Sequence, residues 1–224
     1  MTVIGKPVTV PDDWDRRGLP GWTYHSRALF DLERREVFLN HWQVAGHVSD
    51  IPAPGDWLTF DLLGERAVVI RGRDGVVRAF HNLCRHRGAR VVDGASGHCR
   101  NALVCPFHGW VYNLDGSLRG AARPESFGDM DRSAFGLKPV EMEIWQGFLF
   151  LRFLPGPQPA IARLMEPFAA DFAAYGAAGL LPGDTRGWKA AVLPVNWKSV
   201  RDVDNEGYHV AMAHPALQDL YGRA

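Results

Sequence analysis

Cys84, His86, Cys105 and His108 have side chains that hold metals, and they fall within one short stretch of the chain. One residue separates Cys84 from His86, and two separate Cys105 from His108. Thiolates favour soft or borderline metals, while imidazoles suit zinc and iron. A structural zinc site could use the same four donors. A glycine closes each pair, Gly88 after the first and Gly109 after the second, so tight turns carry both. Cys99, the third cysteine, lies outside both pairs, and a four-donor site is filled without it.

A second constellation follows Asn196-Trp-Lys near the end of the sequence. It is Glu206, then His209, then His214. On an ideal α-helix two residues five apart sit ~140° from each other, so simple chelation from one straight helix fails. A distorted turn could bring the two imidazoles together, with Gly207 and Pro215 as local places for irregularity. Taken alone, paired histidines near a helix end are a weak metal signal.

The first constellation resembles the Rieske [2Fe–2S] motif, in which one iron takes two thiolates and the other two imidazoles. Rieske proteins of respiratory and photosynthetic complexes carry an extra, disulfide-bonded cysteine in each ligand loop. Ala89 and Phe107 stand at those positions here. The sequence therefore looks like the oxygenase or ferredoxin branch. With no such disulfide and fewer polar groups near the sulfurs, a low-potential cluster is expected.

Both constellations together resemble the Rieske non-haem iron oxygenases. The resemblance implies a [2Fe–2S] cluster on Cys84, His86, Cys105 and His108, and a mononuclear Fe(II) on His209 and His214. The third ligand of that iron would be a carboxylate, completing a set with open positions for O₂. Glu206 matches the acidic position that links this iron to a cluster on a neighbouring subunit, with Asp202 and Asp204 as nearby alternatives. Electrons would come from NAD(P)H through a separate reductase or ferredoxin. The substrate would be a small organic molecule, an aromatic ring or a methylated amine, with ring hydroxylation the larger expectation. A full-length subunit would form a homotrimer. In the family the third ligand comes from a later segment, so the sequence is expected to be the N-terminal part of an α subunit and inactive alone. Two rivals stand beside this reading: a Rieske ferredoxin-like electron carrier with a degenerate second domain, and a zinc-stabilised binding module.

The elements that position these residues follow from pattern. The 224 residues carry 25 basic and 25 acidic side chains, which argues against nucleic acid or an anionic membrane surface as partner. No run approaches the ~18 apolar residues of a membrane span. The first residues lack the form of a signal peptide, and so few cysteines fit a reducing cytoplasm. Ser26 is placed to cap a helix from Arg27 to about Asn40. Alternating and continuous apolar runs then predict short strands, with Asp74-Gly75 and Asp115-Gly116 as turns. Three prolines in residues 154–159 mark a boundary. A helix is expected over 160–175, a strand over Trp188–Leu193, and a helix from Trp197 capped by Asn196. The fold class expected is α+β: an antiparallel β Rieske domain, a small barrel or sandwich, followed by an incomplete α/β catalytic domain. The expected divisions are an arm and helix at 1–42, the Rieske domain at 43–154, and the start of the catalytic domain at 155–224.

Overall fold

The structure, a computed structural model, describes residues 2–3, 6–7, 18–183, 192–214 and 216–217. The chain divides into two compact units, Asp31–Trp188 and a smaller one made of Met1–Phe30 with Lys189–Ala224. Strands β1 (Thr2–Val3) and β2 (Lys6–Pro7) form a minimal ladder. Helix α1 (Arg27–Glu33) starts where the Ser26 hydroxyl accepts the Leu29 N–H at 3.2 Å. It continues as a π-helix over Arg34–Leu39. The wider π turn shifts the inward face, because its hydrogen bonds span one more residue than an α turn. Leu32 is exposed, whereas Glu33 and Leu39 are buried.

The larger unit is built on antiparallel strands. After β3 (Gln43–His47), the four-stranded sheet comprises β4 (Asp56–Leu62), β5 (Glu65–Arg71), β6 (Val77–His81) and β7 (Ser96–His98), in the order β6-β5-β4-β7. Asp74-Gly75 sits in the β5–β6 turn, where the Asp74 carboxylate accepts the Val76 N–H at 3.1 Å. Strands β8 (Leu103–Val104), β9 (Val111–Tyr112) and β10 (Leu118–Gly120) form a second sheet. Strands β11 (Glu141–Trp145) and β12 (Phe148–Arg152) join β3 in a third, ordered β11-β12-β3.

The β5 run Ala67-Val68-Val69-Ile70 is fully buried, and its alternate residues feed two different cores. Val68 and Ile70 pack with Trp57, Phe80, Cys84, Cys105, Trp110 and Tyr112. Ala67 and Val69 pack with Leu39, Leu58, Leu149 and Leu151. A strand buried on both faces needs a continuous apolar run rather than an alternating one. Each such Val or Ile contributes about 1.5–3 kcal/mol by leaving water. The four-stranded sheet is thus the middle layer, and one of its faces holds both cysteine ligand candidates.

The expected helix over 160–175 is broken into α2 (Ile161–Leu164), a 3₁₀ turn at Glu166–Phe168 and α3 (Ala169–Ala174). Pro167 has no N–H to donate and clashes with a continuing helix, which accounts for the break. In the smaller unit, the Asn196 side chain accepts the Lys198 N–H at 3.0 Å and opens α4 (Trp197–Asn205), followed by α5 (Val210–Ala213). Of the strand expected over Trp188–Leu193, residues 188–191 lie outside the described residues, and Val192 and Leu193 form no strand. The architecture is α+β with antiparallel sheets.

Candidate metal centres

The first ligand pair lies in the loop after β6, and the second lies between β8 and β9. Both loops close in the same way. The Cys84 N–H donates to the Ala89 carbonyl at 2.8 Å, and the Gly88 N–H returns to the Cys84 carbonyl at 2.9 Å. In the second loop the Cys105 N–H donates to the Trp110 carbonyl at 2.8 Å, and the Gly109 N–H returns to the Cys105 carbonyl at 3.0 Å. Gly88 and Gly109 hold φ values of +70° and +65°, a left-handed conformation that an L side chain strains. The loops are therefore equivalent in frame, and only the histidine shifts by one residue between them.

This frame gathers the four side chains. Cys84 and Cys105 are 4% and 2% exposed in one core. The His86 and His108 rings meet at 4.6 Å between centroids, with planes 74° apart. His86 Nδ1 is buried without a hydrogen-bond partner. Burial pushes the Cys84 thiol above its ordinary value; Tyr112 and the His86 backbone oppose that, and nearby Cys105 adds to it. A metal that binds such a thiol displaces its proton. Two buried sulfurs, two adjoining imidazoles and an orphaned ring nitrogen fit a two-iron centre with mixed ligands. A tetrahedral zinc needs four donors on one point. Among the described residues, no three His, Cys, Asp or Glu side chains form a group of that kind.

Two neighbours went unread in the sequence. Tyr112 on β9 places its hydroxyl 3.2 Å from Cys84 Sγ and accepts the Arg85 N–H at 2.9 Å. Burial, with the contact to Cys84, holds its proton well above the ordinary phenol range. The surroundings of the sulfurs are thus more polar than expected. Asn82 is fully buried; its Oδ1 accepts the Val91 and Val92 N–H groups at 3.0 and 3.1 Å, and its Nδ2 donates to the Val92 carbonyl at 2.9 Å. It ties the base of the first ligand loop. Trp110 stacks on His86 at 5.2 Å with planes 7° apart and is buried, whereas Phe107 is 60% exposed with its ring 3.9 Å from that of His108. Cys99 stays outside the ligand loops and is partly buried against the same core.

In the smaller unit, His209 and His214 flank α5, with ring centroids 5.4 Å apart and planes at 79°. They do not share a straight helix. Helix α4 ends at Asn205, and Glu206 is extended, with φ −112° and ψ 133°. The turn folds the Glu206 carboxylate back: Oε2 accepts the His209 N–H at 3.1 Å, and Oε1 meets His209 Nδ1. Burial works against the charge of that carboxyl, but the hydrogen bonds to His209 outweigh it and hold it below its usual range. The two alternatives are engaged elsewhere. Asp202 accepts the Tyr24 hydroxyl at 2.5 Å, and Asp204 pairs with Arg201 at 2.9 Å. With Nδ1 on Glu206, the Nε2 of His209 is the nitrogen left for a metal.

Residues 41–132 match the Rieske [2Fe-2S] domain, and residues 184–224 match the ring hydroxylating alpha subunit (catalytic domain). The glycine betaine monooxygenase oxygenase subunit of Pseudomonas aeruginosa (strain UCBPP-PA14) is 37% identical over 204 residues, covering 89% of this chain and 45% of that protein. The carnitine monooxygenase oxygenase subunit of Escherichia coli (strain K12) is 31% identical over 224 residues, covering 98% of this chain and 59% of that protein. The crystal structure of the quaternary ammonium Rieske monooxygenase CntA in complex with L-carnitine superposes with a TM-score of 0.75 at 31% identity, covering 88% of this chain and 55% of that one. The chain thus spans about half the length of the curated relatives it matches.

Proposed function

This chain belongs to the Rieske non-haem iron oxygenases, matching the N-terminal part of their oxygenase (α) subunits, and from that premise we propose that it is the electron-receiving and iron-binding portion of a monooxygenase acting on a quaternary or methylated amine. Cys84 and Cys105 hold one iron of a [2Fe–2S] cluster, and His86 and His108 the other. His209 and His214 hold a mononuclear Fe(II). When bound, the cluster supplies one-electron transfer and the single iron supplies O₂ activation. The chain's own residues do the rest. The equivalent turns at Gly88 and Gly109 fix the four donors. Tyr112 donates to a ligand sulfur, and Glu206 orients the His209 ring.

The observation that carries the reading is the joint presence of two matched ligand loops and the Glu206–His209–His214 turn. A pure electron carrier has no use for the second group. The sequence leaned towards ring hydroxylation; the relatives above support the amine class instead, since their names specify glycine betaine, carnitine and quaternary ammonium. A separate NAD(P)H-dependent reductase or ferredoxin, a homotrimeric full-length subunit and a cytoplasmic setting belong to the same proposal. No helix among the described residues is long and apolar enough to cross a membrane.

The test has two parts. Anaerobically purified protein, reduced with dithionite, should give a rhombic Rieske electron paramagnetic resonance signal. A subunit extended to the length of the relatives, with reductase, should consume O₂ on glycine betaine or carnitine and not on naphthalene. Zinc in place of iron, or turnover of naphthalene alone, would overturn the respective part.

A further inference from the structure

Helix α4 leads into the second centre. Asp202 stands about one turn before Glu206, and the helix ends at Asn205. The Asn196 cap ties its first turn. Burial fixes little of the remainder: Lys198 is the buried residue of α4, while Val200 and Val203 are exposed. The tie near its far end comes from the opposite end of the chain. The Tyr24 hydroxyl donates to Asp202 Oδ2 at 2.5 Å, across 178 residues of sequence. The Lys198 ammonium lies 5.9 Å from the Tyr24 ring centroid and 5.4 Å from that of Trp197, so the two rings share one cation. Tyr24 itself is firmly seated, as the last residue of a 3₁₀ turn, Gly21–Tyr24. The Thr23 N–H and hydroxyl both donate to the Pro20 carbonyl, at 2.9 and 2.8 Å, and the Ser26 N–H donates to the Trp22 carbonyl at 3.0 Å.

We propose that Tyr24 is a positioning residue for the second centre. Its bond to Asp202 fixes the last turn of α4, and with it the point from which Glu206 folds back on to His209. The inference rests on the reading of His209 and His214 as iron ligands. Between Glu206 and His209 lie only Gly207 and the exposed Tyr208. Glycine there adds backbone freedom, so the turn does not hold its own place and inherits it from the end of α4. Helix ends leave carbonyls without intrahelical partners, and a last turn with no tertiary contact frays. A metal ligand is only as well placed as the groups that orient it, and a loose supporting shell weakens the site. The described contacts of Tyr24 are with Asp202 and Lys198, not with either histidine. It therefore acts through Asp202 and the helix.

The test uses an iron-loaded subunit extended to the length of the relatives. Occupancy of the mononuclear site is read from the paramagnetic resonance of its nitric oxide adduct, and electron transfer from single turnover. Tyr24→Phe removes the hydroxyl and keeps the ring beside Lys198. It should leave the Rieske signal unchanged, speed release of the mononuclear iron about five-fold and slow single turnover by a similar factor. Asp202→Asn keeps an acceptor for the phenol and should stay near wild type. Asp202→Ala removes the acceptor and should match Tyr24→Phe. The double variant, Tyr24→Phe with Asp202→Ala, should lose no more than either single one, because both remove the same bond. A loss of general stability would not give that pattern. Iron release and turnover unchanged in Tyr24→Phe, or losses that multiply in the double variant, would overturn this inference and leave the ligand reading standing. Absence of a mononuclear iron signal in wild type removes both together.

Discussion

The Tyr112 hydroxyl lies 3.2 Å from Cys84 Sγ while its oxygen accepts the Arg85 N–H at 2.9 Å. With Cys84 as a metal-bound thiolate, which has no proton to give, the phenol's own hydrogen is the donor in this contact. A donor to a ligand sulfur stabilises the more negative, reduced state of a cluster. Tyr112→Phe should lower the potential by roughly 40 mV, if the bond differs by ~1 kcal/mol between the two redox states. Protein-film voltammetry reads this directly, and an unchanged potential removes the role.

His108→Cys tests the division of ligands between the irons. A third thiolate should still support an iron–sulfur cluster, with one iron on Cys84 and Cys105 and the other on His86 and the introduced thiolate. The potential should fall towards about −400 mV, and the rhombic signal should change. A variant indistinguishable from wild type in both would show that His108 is not a ligand.

Asn82 holds three hydrogen bonds with no exposure to water. Asn82→Ala leaves the Val91 and Val92 amides without their acceptor, at a cost on the order of 3 kcal/mol. Urea unfolding of the apo chain should show that loss. The holo form should also release iron faster, because the first ligand loop is tied at this residue.

Much of this arrangement was legible before any coordinates. The hairpin at Asp74-Gly75, the paired β11 and β12, and the caps at Ser26 and Asn196 follow from local chemistry. The uninterrupted run Ala67–Ile70 carried the signal of a strand buried on both faces, although alternation in β4 suggested a single buried side. Other features depend on what comes near in space. Tyr112 is 28 residues from Cys84, and nothing in its neighbours marks it as a sulfur donor. The π turn after Glu33 answers to packing, because intrinsic propensity favours an ordinary helix there. Glu206 stands three residues before His209, a helical spacing, but helix α4 ends one residue before Glu206 and a turn makes the contact.

The β5–β6 turn carries a pH signature. Hydrogen bonds from Arg78 and the Val76 amide hold the Asp74 carboxyl at about 2, below its ordinary 3.8. A folded-state value below the unfolded one stabilises at pH above the unfolded value and is lost as pH falls through the folded one. The stability difference between wild type and Asp74→Asn should therefore be flat above pH ~4 and shrink towards zero by about pH 2. Urea midpoints measured across that range check it; a difference that persists unchanged at the acid end would rule out the carboxylate as its source.

Glu206 offers the sharpest test of the second centre. Both of its oxygens are committed to His209, one to the backbone N–H and one to Nδ1, while Asp202 and Asp204 are held by Tyr24 and Arg201. A carboxylate on Nδ1 fixes the tautomer and makes Nε2 a better donor to iron. Glutamine can accept only one of these bonds, and its amide nitrogen then faces a second donor. In a subunit of full length, Glu206→Gln should leave the cluster spectrum intact and slow single-turnover electron transfer to the mononuclear iron by roughly 10–100-fold. Asp202→Asn and Asp204→Asn should stay near wild type, because neither carboxylate touches His209. Near-normal single turnover in Glu206→Gln, or a larger loss in Asp202→Asn, would move the linking role off Glu206 and on to α4.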